Sequence, residues 1–424
     1  MTAISFDPFS DAQRENPYPA YAELRRRSPV AKVEKMGAYA VARYEDVAYV
    51  LRHPDLFSSG AMQTAMANPL FHGGDASSPP SPAEAERLAQ AIAAMPVPLA
   101  EWMTTRSLIA SDPPTHGTMR SVVNRGFTPR RIAELEKRVR AIARHTLSAF
   151  GDKTNVDLVS ELFTPLPVTV IAELLGVESE RAADFKHWSD CVVTGSTGAA
   201  GKSGPAVMLE GVGGLLGYIM EDVERRRGQT RNDLIGALLR AEDGDAALTA
   251  IDVANFALLL LLAGNETTTN LLGNVLIALL AHPDELARVT RDPSRIPALV
   301  EETLRYESPI QFLFRQTTQD VEIAGVSIPS GSLVMPLLGS ANRDEARFPD
   351  PNRFDVARDT QGHLAFGLGI HFCLGASLAR LEARVALEEL LARYPGFEHC
   401  APRVQNVDSY VVRGPKRLAV RLTA

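Results

Sequence analysis

The chain of 424 residues has three cysteines, Cys191, Cys373 and Cys400, too few for a disulfide framework. Aromatic residues make up only 6% of it. Basic residues are scattered, and the net charge of −7 argues against nucleic acid as a partner. The N-terminal stretch, rich in polar residues and proline, lacks the apolar core of a signal peptide. The longest unbroken apolar run, Phe256 to Ala263, is too short to span a bilayer. There is no internal repeat. These absences lead us to expect a cytoplasmic protein with reduced thiols and no membrane association, most simply a monomer. Apolar residues make up 45% of the chain, ample for a large core. No linker-like break divides it, so a single domain over 1–424 is expected.

Helical spacing dominates. Apolar residues recur every three or four positions over 44–52, 130–150, 204–227, 251–281, 296–307 and 376–394. Strand patterning is local, within roughly 30–60 and 321–340. "AYAVARY" (38–44) alternates, and "VEIAGVSIPSGSLVMPLL" (321–338) reads as strands joined by turns at Ala324-Gly325 and Ser330-Gly331. The fold class is mainly α with a minor β component. In the long connection 58–111, Ser81, Pro82 and Glu84 form the signature of a capped short helix. "STGAAGKS" (196–203) imitates a phosphate-binding loop. Its first position is Ser196 rather than glycine, and no strand precedes it, so we read 194–205 as a hinge between helices. The "NET" triplet at 265–267 matches a glycosylation sequon, without meaning inside a buried helix.

Two stretches carry chemistry. The first, "LLLLLAGNETTTNLLGNVLIALL", sets Gly264, Asn265, Glu266 and three threonines at the centre of the most apolar helix. Glycine costs a helix interior about 1 kcal/mol against alanine, and a buried unpaired carboxylate costs far more. Leu260, Gly264, Thr267 and Leu271 share one face, whose bare centre could seat a flat ligand. Thr267 can bond back to the Ala263 carbonyl and loosen the ladder. The second, "FGLGIHFCLGASLARLEARVALEELL", places Cys373 among Gly367, Gly369 and Gly375, just before an amphipathic helix whose amides favour a thiolate. A lone thiolate there suits a metal held by one protein ligand, as in haem. A buried structural thiol, or a Cys–His nucleophile with His371, remains open on these residues alone.

Phe366, Gly367, Gly369, His371, Cys373, Gly375, Leu378, Ala379 and Arg380 together resemble the haem-binding loop of the cytochrome P450 family, soluble bacterial type. The resemblance runs from "ENPYPAYAELR" to "VVRGPKRLAVRL", and the main departure is the long 58–111 connection. It implies the triangular P450 fold, with heme b between the long central helix and the cysteine loop, and Cys373 as the iron ligand. Ala263, Gly264, Glu266 and Thr267 resemble the family's oxygen-activation motif, with Glu266 and Thr267 as the catalytic acid–alcohol pair. His116, Arg120, Arg315 and His371 match propionate-binding positions, while Phe366, Gly367, Gly375, Ala263 and Gly264 line the haem. Glu302 and Arg305 resemble the Glu-x-x-Arg pair, whose third partner is expected in Arg353; their role is structural. The family's substrate-contact regions map to 58–111, the helices flanking 194–205, Leu262, Ala263 and Thr267, Ile310 to Leu313 with Phe312 and the polar Gln311, and Val411 and Val412.

The implied activity is a monooxygenase that uses O2 and two electrons to hydroxylate or epoxidise a hydrophobic, medium-to-large molecule. Ferredoxin, a reductase and NAD(P)H are the implied partners, docking near the Cys373 loop. A peroxygenase or desaturase is the near alternative; a haem sensor or carrier without turnover is the distant one.

Overall fold

A computed structural model describes residues 6–62, 81–196, 203–226, 229, 233–239, 248–400 and 404–423. Nine of the described helices position the site. We label them α1 (Tyr44–Arg52), α2 (Pro82–Ala93), α3 (Thr115–Asn124), α4 (Pro165–Leu175), α5 (Ala182–Ser196), α6 (Gly204–Arg226), α7 (Ala250–Ala281), α8 (Ile296–Tyr306) and α9 (Ala376–Arg393). Most match the periodic segments within a residue or two. The expected 130–150 helix divides into Pro129–Glu134 and Glu136–Ser148 around Leu135. The capped helix inside 58–111 is present as α2. Ser81 accepts from the Glu84 amide, and Glu84 in turn accepts from the Ser81 amide. The connection also holds a second helix, Leu99–Thr104, that no capping signal announced.

The strand-bearing segments meet in one five-stranded sheet. Its strands are β1 (Val30–Val33), β2 (Ala38–Val41), β3 (Phe57–Ser58), β5 (Arg315–Thr317) and β8 (Leu333–Pro336), in the order β1-β2-β8-β5-β3. Only β2 and β8 run parallel among these neighbours, Ala38 opposite Leu333 through Val41 opposite Pro336. β6 (Val321–Ile323) and β7 (Val326–Ile328) form a hairpin. Its turn, Ala324-Gly325, has φ of 49° and 77°, and Gly331 sits at 76°. Both turns thus fall where glycine was read, and Ala324 is the residue that bears the left-handed strain. A second sheet went unread: β4 (Asn155–Asp157), β10 (Ala419–Thr423) and β9 (Gly396–His399), in the order β4-β10-β9. These strands are three to five residues long, and β4 pairs with a strand at the far end of the chain.

α7 is the axis of the main core. Thr249 and Asp252 close its start with a capping box. The helix packs on α4, α6, α8 and α9. By length and composition alone it could cross a membrane. A helix apolar all round is also what a large core needs, and here Leu261, Leu272, Val275, Leu276 and Leu279 are wholly enclosed. α5 ends at Ser196 and α6 begins at Gly204. The phosphate-loop imitation is therefore preceded by helix, not strand. Residues 197–202, the body of the expected hinge, lie outside the described residues, as do 63–80 of the long connection.

Candidate active site

The cysteine loop is built by glycine and backbone. Gly367 and Gly369 take φ of 70° and 73°. A Cβ on Gly369 would approach the Leu51 carbonyl oxygen to 2.6 Å, so the loop can press against α1 only with glycine there. The Cys373 amide donates to the Phe366 carbonyl at 2.9 Å. The Ala376 amide, at the start of α9, donates to the Cys373 carbonyl at 3.4 Å, and the amides of Gly375 and Ala376 favour negative charge on the sulfur. Burial pushes the Cys373 thiol up, while those amides, Arg120 and Arg380 pull it down. Gly375 has an ordinary φ of −83°, and a Cβ added to it would meet nothing within 4 Å. Neither its backbone angle nor packing within the protein requires glycine there. Below the loop, Arg380 holds Glu301 of α8 through two bonds of 2.6 and 2.9 Å, and its guanidinium stacks 4.5 Å from the Phe366 ring centre.

Four nitrogen-bearing side chains converge beside this loop. His116 and Arg120 stand on α3, Arg315 on β5, and His371 in the loop itself. The His116 and His371 rings lie 4.2 Å apart. Burial, with Arg315, His116 and Arg120 nearby, drives His371 down to about 3, and burial lowers Arg315 to about 10. Arg315 is 4% exposed and its guanidinium donates to the Phe314 carbonyl at 2.7 Å. His116 is 2% exposed, with its Nε2 unpartnered. Asp112, which pulls Arg315 and His116 the other way, is already bonded to the Ser58 hydroxyl and the Ser59 amide. Ser59 in turn bonds His371 Nε2 at 2.9 Å. Ser59 and Asp112 were not read as site residues, because nothing local ties them to a histidine 312 positions from Ser59.

On α7, Thr267 donates to the Ala263 carbonyl at 2.6 Å, as its spacing suggested. Ala263 is exposed although it sits mid-way along the core helix, and Thr267 and Glu266 are half-buried. Burial raises the Glu266 carboxyl to about 7. Gly264 departs from expectation. Its missing side chain does not open the flat-ligand face; a Cβ there would meet Ile171 Cδ1 of α4 at 2.9 Å. Gly264 lets α4 close on α7, and the open face centres on Ala263 and Thr267. Leu271 is likewise core, at 2% exposure. Thr269 gains an explanation: its hydroxyl donates 3.0 Å to the carbonyl of Phe163, the last residue of a π-helical turn.

The Glu302–Arg305 pair is wholly buried, with paired bonds of 2.8 Å each. Arg305 also holds the carbonyls of Asn342 and Pro351. The expected third member is wrong. Arg353 points outward, its side chain 64% exposed and 3.6 Å from Asp355. Arg358 takes the place instead, 3.3 Å from Glu302 and bonded to three carbonyls of the 349–353 turn. Four arginines lie between 343 and 358 on irregular backbone, where no periodicity says which points inward. Arg358→Ala should therefore destabilise the protein by about 2 kcal/mol or more, whereas Arg353→Ala should stay within about 0.5. Urea unfolding of both variants checks this; equal losses would restore Arg353.

Among the expected substrate contacts, Leu262, Ile310, Leu313, Val411 and Val412 are partly exposed. Ile310 and Val412 face each other in a β-bridge. Phe312 is not in the group. It is 1% exposed, edge-on to Phe314 at 5.5 Å in a cluster with Phe6, Phe9 and Met335. Gln311 is also excluded. Its side-chain amide donates 2.7 Å to the Ser308 carbonyl, and its other end fills the space that a Cβ on Gly339 would need. The packing of these two against the neighbouring core, rather than their place in the chain, removes them from the pocket.

A family model described as "Cytochrome P450" matches residues 214–417. The 6-deoxyerythronolide B hydroxylase of Saccharopolyspora erythraea is 38% identical, covering 100% of both chains. The chain belongs to the cytochrome P450 family. The P450 structure CYP109Q5 from Chondromyces apiculatus superposes with a TM-score of 0.85 at 44% identity, over 99% of this chain and 98% of that one. CYP109E1 from Bacillus megaterium in complex with testosterone superposes at 0.81 and 34% identity, over 96% and 100%. This P450 is thus a monooxygenase of a family that uses heme b with a thiolate iron ligand. The residues present fit that group. Cys373 offers a single free, partly buried thiol, and the guanidiniums of Arg120 and Arg315 beside His371 and a buried, unpartnered His116 suit two carboxylates.

Proposed function

We propose that this P450 inserts one atom of O2 into a hydrophobic substrate of macrolide or steroid size, with ferredoxin, a reductase and NAD(P)H as the electron source. The observation that carries this reading is the intact Glu266–Thr267 pair on the open face of α7. Heme b, when bound, supplies the redox-active iron at which O2 is reduced. Cys373 is its protein ligand, with the amides of Gly375 and Ala376 sharing the sulfur's negative charge. His116, Arg120, Arg315 and His371 hold the propionates by charge-assisted hydrogen bonds. Gly367 and Phe366 shape the loop beneath.

Thr267 spends its O–H on the Ala263 carbonyl, so its lone pairs are left to hold a water in place. Glu266, with its carboxyl near 7, is both acid and base at working pH and can pass protons through that water. Thr267→Ala should leave electron consumption near normal while product per NAD(P)H falls roughly tenfold, below the usual span for a general acid because water replaces the hydroxyl. Unchanged coupling would remove Thr267 from the relay. Glu266 is the delivering acid when protonated, so coupling should hold below about 7 and decline as pH rises through it. Glu266→Gln should lower coupling throughout and flatten that decline. A wild-type slope surviving in the Gln variant would assign the titration elsewhere.

The deciding experiment compares turnover driven by ferredoxin, reductase and NAD(P)H with turnover by hydrogen peroxide alone. Efficient turnover by peroxide only would make the protein a peroxygenase. The substrate class rests on the apolar Leu262, Ile310, Leu313, Val411 and Val412, and on similar proteins that include a 6-deoxyerythronolide B hydroxylase and a P450 in complex with testosterone. A screen for the low-spin to high-spin shift of the haem tests it. Response to small charged compounds alone would defeat the apolar-substrate reading.

A further inference from the structure

Cys191 has no part in the haem site. It stands on α5 one turn after His187, so both side chains leave the same face of the helix. Glu210 of α6 reaches the same point. His187 Nε2 lies 3.8 Å from the Cys191 sulfur and 3.9 Å from Glu210 Oε1, and all three ligand atoms fall within 4.8 Å of one another. Among the described residues this is the one such group of three histidine, cysteine or carboxylate ligands.

We propose that His187, Cys191 and Glu210 bind one zinc-type divalent ion across α5 and α6, with water as the fourth ligand. The donor set of one sulfur, one imidazole and one carboxylate is chemistry that zinc accepts readily. Zn–S of about 2.3 Å and Zn–N and Zn–O of about 2.0–2.2 Å, at tetrahedral angles, place ligand atoms about 3.4–3.6 Å apart. The separations of 3.8 and 3.9 Å exceed this by a few tenths of an ångström and the third pair lies within 4.8 Å, distances that rotations of the three side chains can close.

The two helices are in direct contact beneath the ligand atoms. A Cβ on Gly211 would lie 2.5 Å from the Trp188 carbonyl and 2.9 Å from Cys191 Cβ, so α5 and α6 touch directly under the site. The competing contact is weak. Arg87 of α2 is 3.7 Å from Glu210 with both side chains about half exposed, a pair worth little in water. Cysteine and glutamate both become anionic ligands, so the ion also neutralises two charges crowded on one surface. A bound ion would staple the two helices that flank the 197–202 segment.

The test uses untagged full-length holoenzyme and Zn2+ alone. Equilibrium dialysis should find one ion per chain, and X-ray absorption at the zinc edge, which the haem iron does not obscure, should show one sulfur at about 2.3 Å. Cys191→Ser and His187→Gln should each weaken binding at least tenfold. Cys400→Ser, which removes the other thiol outside the haem site, should change nothing. Binding well below one ion per chain, an absorption edge with oxygen and nitrogen only, or full affinity in Cys191→Ser would overturn the proposal. All these sites lie at or near the surface, and the haem spectrum of each variant reports independently that the fold is kept.

Discussion

Cys373→Ser should leave a folded protein that has lost the thiolate signature of its reduced, CO-bound haem and on the order of 10³-fold or more of its monooxygenase turnover, about 4 kcal/mol of transition-state stabilisation. The reason lies in the loop. The sulfur sits where two amides and the start of α9 favour negative charge, yet burial opposes a bare thiolate. A metal cation on the sulfur resolves that conflict, since a coordinating thiol is deprotonated outright. A serine hydroxyl can use the same amides, so the loop should persist. It is a far poorer electron donor, so a haem held there would lose the electron density that the Cys373 thiolate would supply. Haem content by pyridine haemochrome separates loss of ligand from loss of haem. If Cys373→Ser keeps the thiolate-type CO spectrum, the ligand is another cysteine, and Cys191 and Cys400 are the only others in the chain.

The second large effect is on stability. Glu302→Ala should cost about 3–5 kcal/mol, because it strands the Arg305 charge in a site with no access to water. The carboxylate also accepts from the Asp355 amide at 3.0 Å and from Arg358, so the turn that carries 349–358 loses its anchor. Against a total of roughly 5–15 kcal/mol, that is enough to deplete folded protein in the cell. Glu302→Gln keeps an acceptor for Asp355 while removing the charge, and should fall between Ala and wild type. An exposed pair offers the control: Arg130 and Glu134 are 89% and 62% exposed, and Glu134→Ala should change stability by under about 0.5 kcal/mol. Urea unfolding of the three variants measures the order. A loss below about 1 kcal/mol for Glu302→Ala would mean the network is not holding the fold.

Both predictions start from residues legible in the chain, and the reason is locality. Cys373 announces itself through nearby glycines and a helix directly after it. Glu302 and Arg305 announce themselves by their spacing on one helix face. The same holds for Thr267 and Ala263, one turn apart, and for the Ser81–Glu84 capping box. In each case the physics that fixes the geometry is contained in a few residues of backbone.

The misreadings share the opposite property. Arg353 and Arg358 sit on an irregular loop whose path is set by α8 and by the carbonyls of Asn342 and Pro351, so only the folded chain says which guanidinium reaches Glu302. Gln311 and Phe312 looked like substrate contacts until the packed chain put Gln311 against Gly339 and Phe312 against Phe314. Gly264 marked an unusual helix correctly, but the partner that exploits its missing side chain is Ile171, on a different helix. Ser59 behind His371, and β4 against β10, belong to the same class.

Taken alone, the amino-acid chain specifies a mainly helical P450 with a cysteine loop, an acid–alcohol pair on its most apolar helix, and a carboxylate–guanidinium pair one turn apart on α8. Backbone preferences and side-chain periodicity act over a few residues, and those features need no more. Folding was required to choose which arginine completes the network and which expected pocket residues turn inward. It also brought His116, Arg120, Arg315 and His371 to one point, and set His187, Cys191 and Glu210 close enough to share a single ion. Those outcomes depend on how separate elements pack, because burial and close approach are properties of the assembled core rather than of any one segment.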